Sequence, residues 1–386
     1  MTALSSQSSR RGHRCVNVPR MADEVADRGA TLADVAQRAG VSPSTVSRTL
    51  RGLSTVSPAT RARVEQAARE LSFAISRSAS SLVTGRTGRV AVLVPNLDSW
   101  FLGAALAGMA PALTAVGLEM LVYSVTTAEQ RAQFFDRLPA RRNADALLVV
   151  SFALSPEERA RLDGLGMPLV FVSQHERGRA GVYVDDVEAA QRGTRYLLNL
   201  GHRRIAYLEP ADASGFTWSS RDRLEGYRTA LAEAGVDRDD DLVRQVAHWE
   251  GPSLEAAVGR LLSLAEPPTA IFAETDDIAF RLLTILRGVN VPVPQRMSIL
   301  GFDGHAMAAP WDLSTMAQPA RRLGEVAAEL AHGVIHDPET YRERHVVLPV
   351  ELVPRGSTGP MPAPTPRRRP DDGADAPEAR ADAPKA

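Results

Sequence analysis

Two sets of residues in this chain have the types and spacing for recognition chemistry. The stretch GVSPSTVSRTL, Gly40 to Leu50, carries five hydroxyls (Ser42, Ser44, Thr45, Ser47 and Thr49) and one cation, Arg48, in a segment patterned like a helix. Ser and Thr are mediocre helix formers because their hydroxyls compete for backbone hydrogen bonds. Short hydroxyl side chains do let another molecule approach the backbone closely. They bond to phosphates or to base edges, and an arginine bonds to phosphate or guanine. The second set stands where apolar runs end. Asp303 follows MSILGF, Thr275 and Asp276 follow TAIFAE, Arg223 opens RLEGYR, Trp249 lies in VAHWEG, and Trp100 and Phe101 follow the first apolar run. A carboxylate accepts from two vicinal hydroxyls, and an arginine donates to ring or hydroxyl oxygens. An indole face covers the C–H surface of a sugar. Together these groups suit a polyol. The plain alternatives are that Asp276 only caps a helix and that Trp249 only packs a lobe.

The elements that must position the first set are three short helices over residues 31–72. Thr31 with Asp34 forms a capping box ahead of Leu32, Val35, Ala36 and Ala39. Gly40 suits the left-handed residue that ends this helix. Ser42 caps the next, with Pro43 at its first position, and Ser57-Pro58 opens a third with Val64, Ala67, Ala68 and Leu71 inward. The turn has the length of a helix-turn-helix, in which the second helix enters the major groove by its N-terminal residues. A plain three-helix bundle with a Ser-rich surface helix is the alternative. The second set is positioned differently. From Val90 on, the runs VAVLVP, MLVYSV, ALLVVSF, PLVFVS, RIAYL, TAIFAE and MSILGF alternate with amphipathic stretches. Near-continuous apolar strands with helices between them predict parallel sheets covered on both faces. Ligands of such sheets bind beyond the carboxyl ends of the strands.

Bulk properties agree. A chain of 386 residues exceeds one ordinary core. Its net charge of −1 conceals a basic segment: from Ala30 to Arg89 nine arginines stand against Asp34, Glu65 and Glu70, a local +6 on a body of −7. Such a module suits a polyanion, although a solvated charged face would have the same composition. Cys15 is the sole cysteine, so an intramolecular disulfide and a cysteine zinc site are both excluded. The chain carries no secretory h-region and no run long enough for a membrane span, which predicts a cytoplasmic location. The sequence leaves Met1 and Met21 both open as the start.

The segments TLADVAQRAGVSPSTVSRTLRG and VSPATRARVEQAARELSF closely resemble the DNA-binding domain of the lactose-repressor/galactose-repressor family. The resemblance continues through LVTGRT and VAVLVPN to ELVPRGSTGP, about residues 31–359. It implies an α/β protein: an N-terminal three-helix helix-turn-helix domain plus two doubly wound α/β lobes similar to a periplasmic sugar-binding protein. Its parts are a disordered extension (1–29), the helix-turn-helix (30–75), a hinge helix and linker (76–89), a two-lobed effector-binding and dimerisation body (90–356) and a disordered tail (357–386). The resemblance places Pro43, Ser44 and Arg48 at base-reading positions, and Thr31, Ser42, Thr45, Ser47 and Thr60 at phosphates. It makes Leu82 a minor-groove wedge, with Ala79 the small residue three positions before it. An ordinary linker leucine is the alternative. Trp100, Phe101, Arg223, Trp249, Thr275, Asp276 and Asp303 fall on effector-contacting positions, and the empty cleft is expected to be open and wet around Arg223 and Asp303, with a ligand replacing that water. The chain departs from the family's pattern in four places. Phe73-Ala74-Ile75-Ser76 replaces Tyr-x-Pro-Asn, and Thr275-Asp276 replaces Asn-Asp. Gly301-Phe302-Asp303-Gly304 replaces GFDD. Ser173-Gln174 replaces Asp-Arg, which removes an arginine from the cleft mouth.

The implied function is a repressor that binds double-stranded, pseudo-palindromic operator DNA as a homodimer, with a sugar-like effector between the lobes and no cofactor or metal. Residues 357–386 carry no leucine heptad, so assembly is expected to stop at the dimer. A solute sensor without DNA is disfavoured by residues 31–82. An enzyme is disfavoured because VPNLDSW is no phosphate loop and no HExxH or nucleophile elbow occurs. His202 in LGHRR is expected to be structural.

Overall fold

The computed structural model describes residues 30–50, 55–73, 86–211, 219–246 and 253–361. The chain divides into two compact units after Gly85. In the first, helices run over Leu32–Ala39, Pro43–Leu50 and Pro58–Glu70. Local signals set their ends. The Thr31 side chain accepts from the Asp34 amide while Asp34 reaches back to Thr31, Gly40 turns the chain at φ +66°, and Ser57 caps the third helix ahead of Pro58. Val35, Ala36, Val46, Val64 and Ala67 form a small buried core, and Arg38 ties the first helix to Glu70 of the third.

The second unit holds two six-stranded sheets. The first lobe contains β1 (Arg89–Val94), β2 (Glu119–Ser124), β3 (Ala146–Val150), β4 (Leu169–Val172), β5 (Ala180–Val184) and β11 (His345–Leu348). Its strand order is β11-β5-β4-β3-β1-β2, parallel throughout. The second contains β6 (Ile205–Pro210), β7 (Val243–Val246), β8 (Ala270–Ala273), β9 (Ser298–Asp303), β10 (Ser314–Ala317) and β12 (Glu351–Val353), in the order β12-β10-β9-β8-β6-β7. Only β12 runs antiparallel, against β10. The central strands are buried along their whole length, as strands covered on both faces must be.

The chain passes between the lobes three times: after β5, after β10 and after β11. Helix Ala320–His336 therefore lies in the first lobe, although β10 before it belongs to the second. It packs so closely on helix Trp100–Ala115 that a Cβ on Gly324 would stand 1.9 Å from the Ala105 carbonyl oxygen. One apolar cluster runs through both lobes, from Val92 and Val172 to Tyr207 and Phe302.

Two expected boundaries move. The body starts before residue 90, because the Thr87 and Gly88 amides donate to the Asp145 carboxylate. Nor does the body stop at residue 356: Ser357 and Thr358 are buried, and Ser357 Oγ donates to the Ile299 carbonyl. His202 is fully buried, bonded to Thr269, Ser298 and the Gly359 carbonyl, as a structural histidine should be.

Candidate nucleic-acid interface and effector cleft

On the first unit, Ser42, Pro43, Ser44 and Arg48 are exposed, and Thr45 and Ser47 are half-buried. Ser44 and Arg48 are four positions apart and so share a helix face. Ser42 Oγ lies 2.9 Å from both Ser44 Oγ and Thr45 Oγ1, and it accepts from the Thr45 amide at 3.2 Å. A hydroxyl has one donor and two acceptor positions. Ser42 Oγ thus has all three positions occupied, and the Thr31 hydroxyl gives its one proton to Asp34 at 2.7 Å, so each would have to exchange a partner to donate to a phosphate. Thr60, half-buried, lies with its hydroxyl 2.9 Å from Ser57 Oγ at the start of the third helix. The fifth hydroxyl behaves differently. Thr49 is 3% exposed and donates to the Thr45 carbonyl at 2.9 Å, so it packs inward and leaves four hydroxyls on the outer side. The expected wedge Leu82 and its neighbour Ala79 lie outside the described residues, as does Trp249.

In the body, Arg223 and Asp303 come together at the carboxyl ends of the second lobe's strands. Arg223, on helix Ser219–Glu233, is 4% exposed. Its Nε donates to Asp186 Oδ1 at 2.7 Å and one terminal nitrogen donates to the Glu274 carbonyl at 2.9 Å. The same nitrogen lies 3.9 Å from Asp303 Oδ1, and the guanidinium sits 3.6 Å from the Phe302 ring centroid. Asp303 ends β9 at φ +120°, an unusual backbone for a residue with a Cβ, and accepts from Gln318 Nε2 at 2.7 Å. The expectation of an open, wet site around these two groups is corrected here. Arg223 and Asp303 are buried and bonded to protein partners, because Asp186 and Gln318 reach them from two of the passages between the lobes.

Burial governs the charges. It opposes ionisation of Arg223, but the carboxylates of Asp186, Asp303 and Glu274 outweigh it and hold the guanidinium charged. Burial pushes Glu274 up to about 7 despite Arg223 and the Ser220 hydroxyl. Asp303 rises well above the usual carboxylate range for the same reason, again opposed by Arg223.

Thr275 and Asp276 are tied into the fold by contacts of their own. Thr275 is the helix cap, accepting from the Ile278 amide. Asp276 is fully buried, accepts from the His305 amide at 2.7 Å and the Thr315 hydroxyl at 2.8 Å, and so fixes the turn after β9. Burial raises it to about 7 against those hydrogen bonds. Trp100 and Phe101 separate. Phe101 packs into the apolar core, whereas the Trp100 ring reaches across to His305 of the second lobe at 4.8 Å. Gln174, which stands where the resemblance expects an arginine, is 2% exposed and accepts from the Phe152 amide.

Asp186, Glu274, His305 and Gln318 escaped the sequence reading. Glu274 alone left a signal there, as the first acid of the run after TAIFA. A recess of about 460 Å³ lined by Leu283, Arg287, Val291 and Trp311 contains none of the expected residues.

Glu274→Gln tests the electrostatics. A carboxylate raised on folding contributes stability in full below its ordinary value near 4.5, and loses it as pH climbs through about 7. Relative to wild type, the variant should therefore gain stability from pH 5 to pH 8, by about 1–3 kcal/mol in total. Urea midpoints at several pH values read this difference. Parallel curves for the two proteins would mean that Glu274 titrates normally.

Fold and site define a helix-turn-helix module joined to a two-lobed body with polar groups at the strand ends between the lobes. Residues 31–76 match the profile of bacterial regulatory proteins of the lacI family, and residues 194–358 match the periplasmic binding protein-like domain. The regulator DegA of Bacillus subtilis (strain 168) is 30% identical over 339 residues, 86% of this chain and 98% of that protein. The CelR–cellobiose complex is 29% identical, with a TM-score of 0.62 over 85% of this chain and 99% of that one. The lac repressor dimer bound to operator and the anti-inducer ONPF shares the fold at 23% identity, TM-score 0.75, over 86% of this chain and all of that one. The chain belongs to the lacI family: it is a DNA-binding transcriptional regulator with an effector-binding domain, not an enzyme. Among the described residues no helix is long and apolar enough to cross a membrane.

Proposed function

We propose that this regulator is a cytoplasmic repressor that binds a pseudo-palindromic operator as a homodimer and responds to a sugar-like effector in the cleft between its lobes. Two half-sites one helical turn apart would match two copies of the exposed helix Pro43–Leu50. The observation that carries the reading is the wiring of the cleft. Arg223 and Asp303 are bonded to Asp186 and Gln318, which sit on the passages between the lobes. A ligand that competes for Arg223 or Asp303 acts directly on the segments that set the lobe angle. Effector and DNA then select between the same two arrangements, which is what allosteric coupling requires. CelR, solved with cellobiose, and the lac repressor dimer, solved on operator, support this reading.

Fluorescence anisotropy with the DNA upstream of the protein's own gene tests it. Binding should exceed that to random DNA by at least about a thousandfold, should weaken steeply with salt, and should fall when the effector is added. Equal affinity for both DNAs would remove the operator reading. Stronger binding on adding effector would reverse the sign of regulation.

A further inference from the structure

Independently of the cleft, we infer that the first lobe carries a second ligand site, which takes the phosphate monoester of a small polyol. A recess of about 290 Å³ lies toward the amino ends of β4, β5 and β11: Leu169 opens β4, Arg179 precedes β5 and Arg342 stands shortly before β11. The cleft residues stand at carboxyl ends instead. Four guanidinium groups, those of Arg159, Arg177, Arg179 and Arg342, line this recess against two carboxylates, Asp163 and Glu176. Arginine keeps its charge at any physiological pH. Counting both acids as fully ionised therefore still leaves a surplus of 4 − 2 = +2.

The two acids hold two of the arginines in place. Arg159, on helix Pro156–Asp163, donates to Glu176 Oε1 at 2.7 Å, and Arg179 donates to Asp163 at the end of that helix. The other two cations are left over. Arg177 is exposed and has no ion pair among the described residues. It stands beside Gly178, whose φ of +72° turns the short connection from β4 back to β5. Arg342 has only its chain neighbour Glu343, 3.8 Å away with both side chains largely in water, a contact worth little. A phosphate monoester carries about −1.5 to −2 at neutral pH, which matches the surplus, whereas a carboxylate carries a single charge. Its terminal oxygens accept from guanidinium groups in pairs. The rest of the ligand follows from two further features. Glu176 Oε2 is buried without a partner among the described residues, and a carboxylate oxygen calls for a donor, which a polyol hydroxyl supplies. The buried side chains of Leu162 and Phe171 close the recess from behind. Its volume stands at the low end for small-molecule sites, which suits a triose or hexose phosphate better than a dinucleotide.

Calorimetry and thermal unfolding of the full-length protein at fixed ionic strength test this site with glucose 6-phosphate, glycerol 3-phosphate, inorganic phosphate, sulfate, glucose and glycerol. At least one of the two esters should bind about tenfold or more tighter than inorganic phosphate or sulfate. The Arg177→Gln/Arg342→Gln double variant should lose that binding by about tenfold or more. Both side chains are exposed, so the fold should stand, and whatever affinity glucose or glycerol has should not change. The Arg141→Gln/Arg142→Gln variant, which removes an exposed pair outside the recess, should bind the ester like wild type. The site is overturned if neither ester binds, or if inorganic phosphate and sulfate bind as tightly. Equal losses in both double variants would mean general electrostatic attraction and would overturn it too. If ester binding survives Arg177→Gln/Arg342→Gln but is lost in Asp303→Asn, the ester is a ligand of the cleft; the recess is then wrong and the cleft reading stands.

Discussion

Arg48→Ala is expected to abolish specific operator binding without disturbing the fold. Arg48 is exposed near the end of helix Pro43–Leu50, and alanine is the better helix former, so folding loses nothing. Among the described residues it has no ion pair, so its removal leaves no orphaned charge behind. A bidentate arginine–guanine contact is worth about 1–3 kcal/mol, and a dimer on a palindrome makes it twice. The sum, about 2–6 kcal/mol, amounts to a loss of roughly thirtyfold to ten-thousandfold in affinity. Non-specific binding should change far less, because many phosphate contacts carry it. Anisotropy titrations on operator and random DNA, beside circular dichroism of the variant, measure both quantities. Wild-type affinity in the variant would mean that another helix reads the DNA.

Arg223→Ala should be the most destabilising single change in the cleft. It leaves Asp186, Glu274 and Asp303 buried without their cation, and breaking a buried pair from one side costs about 3–5 kcal/mol. The urea midpoint should fall accordingly, and an unchanged midpoint would mean that the cluster ionises little in the native state. Because of this cost, Arg223→Ala is a poor probe of signalling. Asp303→Asn is a better one. It retains an oxygen to accept from Gln318 and removes an acid whose charge burial already disfavours. The variant should fold at least as well as wild type and lose its response to effector. If the effector relieves repression, the variant stays on DNA whatever solute is added. If the effector is needed for binding, the variant is permanently released. A response at wild-type effector concentration would remove Asp303 from the ligand's path.

The sequence by itself determined those features whose causes lie within a few residues. The capping box of Thr31 and Asp34, the left-handed Gly40 and the Ser57-Pro58 start act over one turn of helix, so their residue types announce them. The apolar runs announced parallel strands, because strands covered on both faces have no polar alternation to hide. Arg223 and Asp303 were legible as a pair of strand-end polar groups, since the carboxyl ends of strands are where such sheets place ligands. What joins them was not. Asp186 lies 37 positions from Arg223, Gln318 lies 15 from Asp303, and Thr315 lies 39 from Asp276. The first two contacts exist only once the chain has passed between the lobes, and the third only once the second sheet has its order. Tertiary structure likewise turned Thr49 inward, drew Phe101 into the core and buried Ser357 and Thr358 in the body. It also decided the charge of the cleft. An acid's tendency to ionise depends on the water that folding removes from it and the cations that folding brings near, and neither is written in the spacing of residues along the chain.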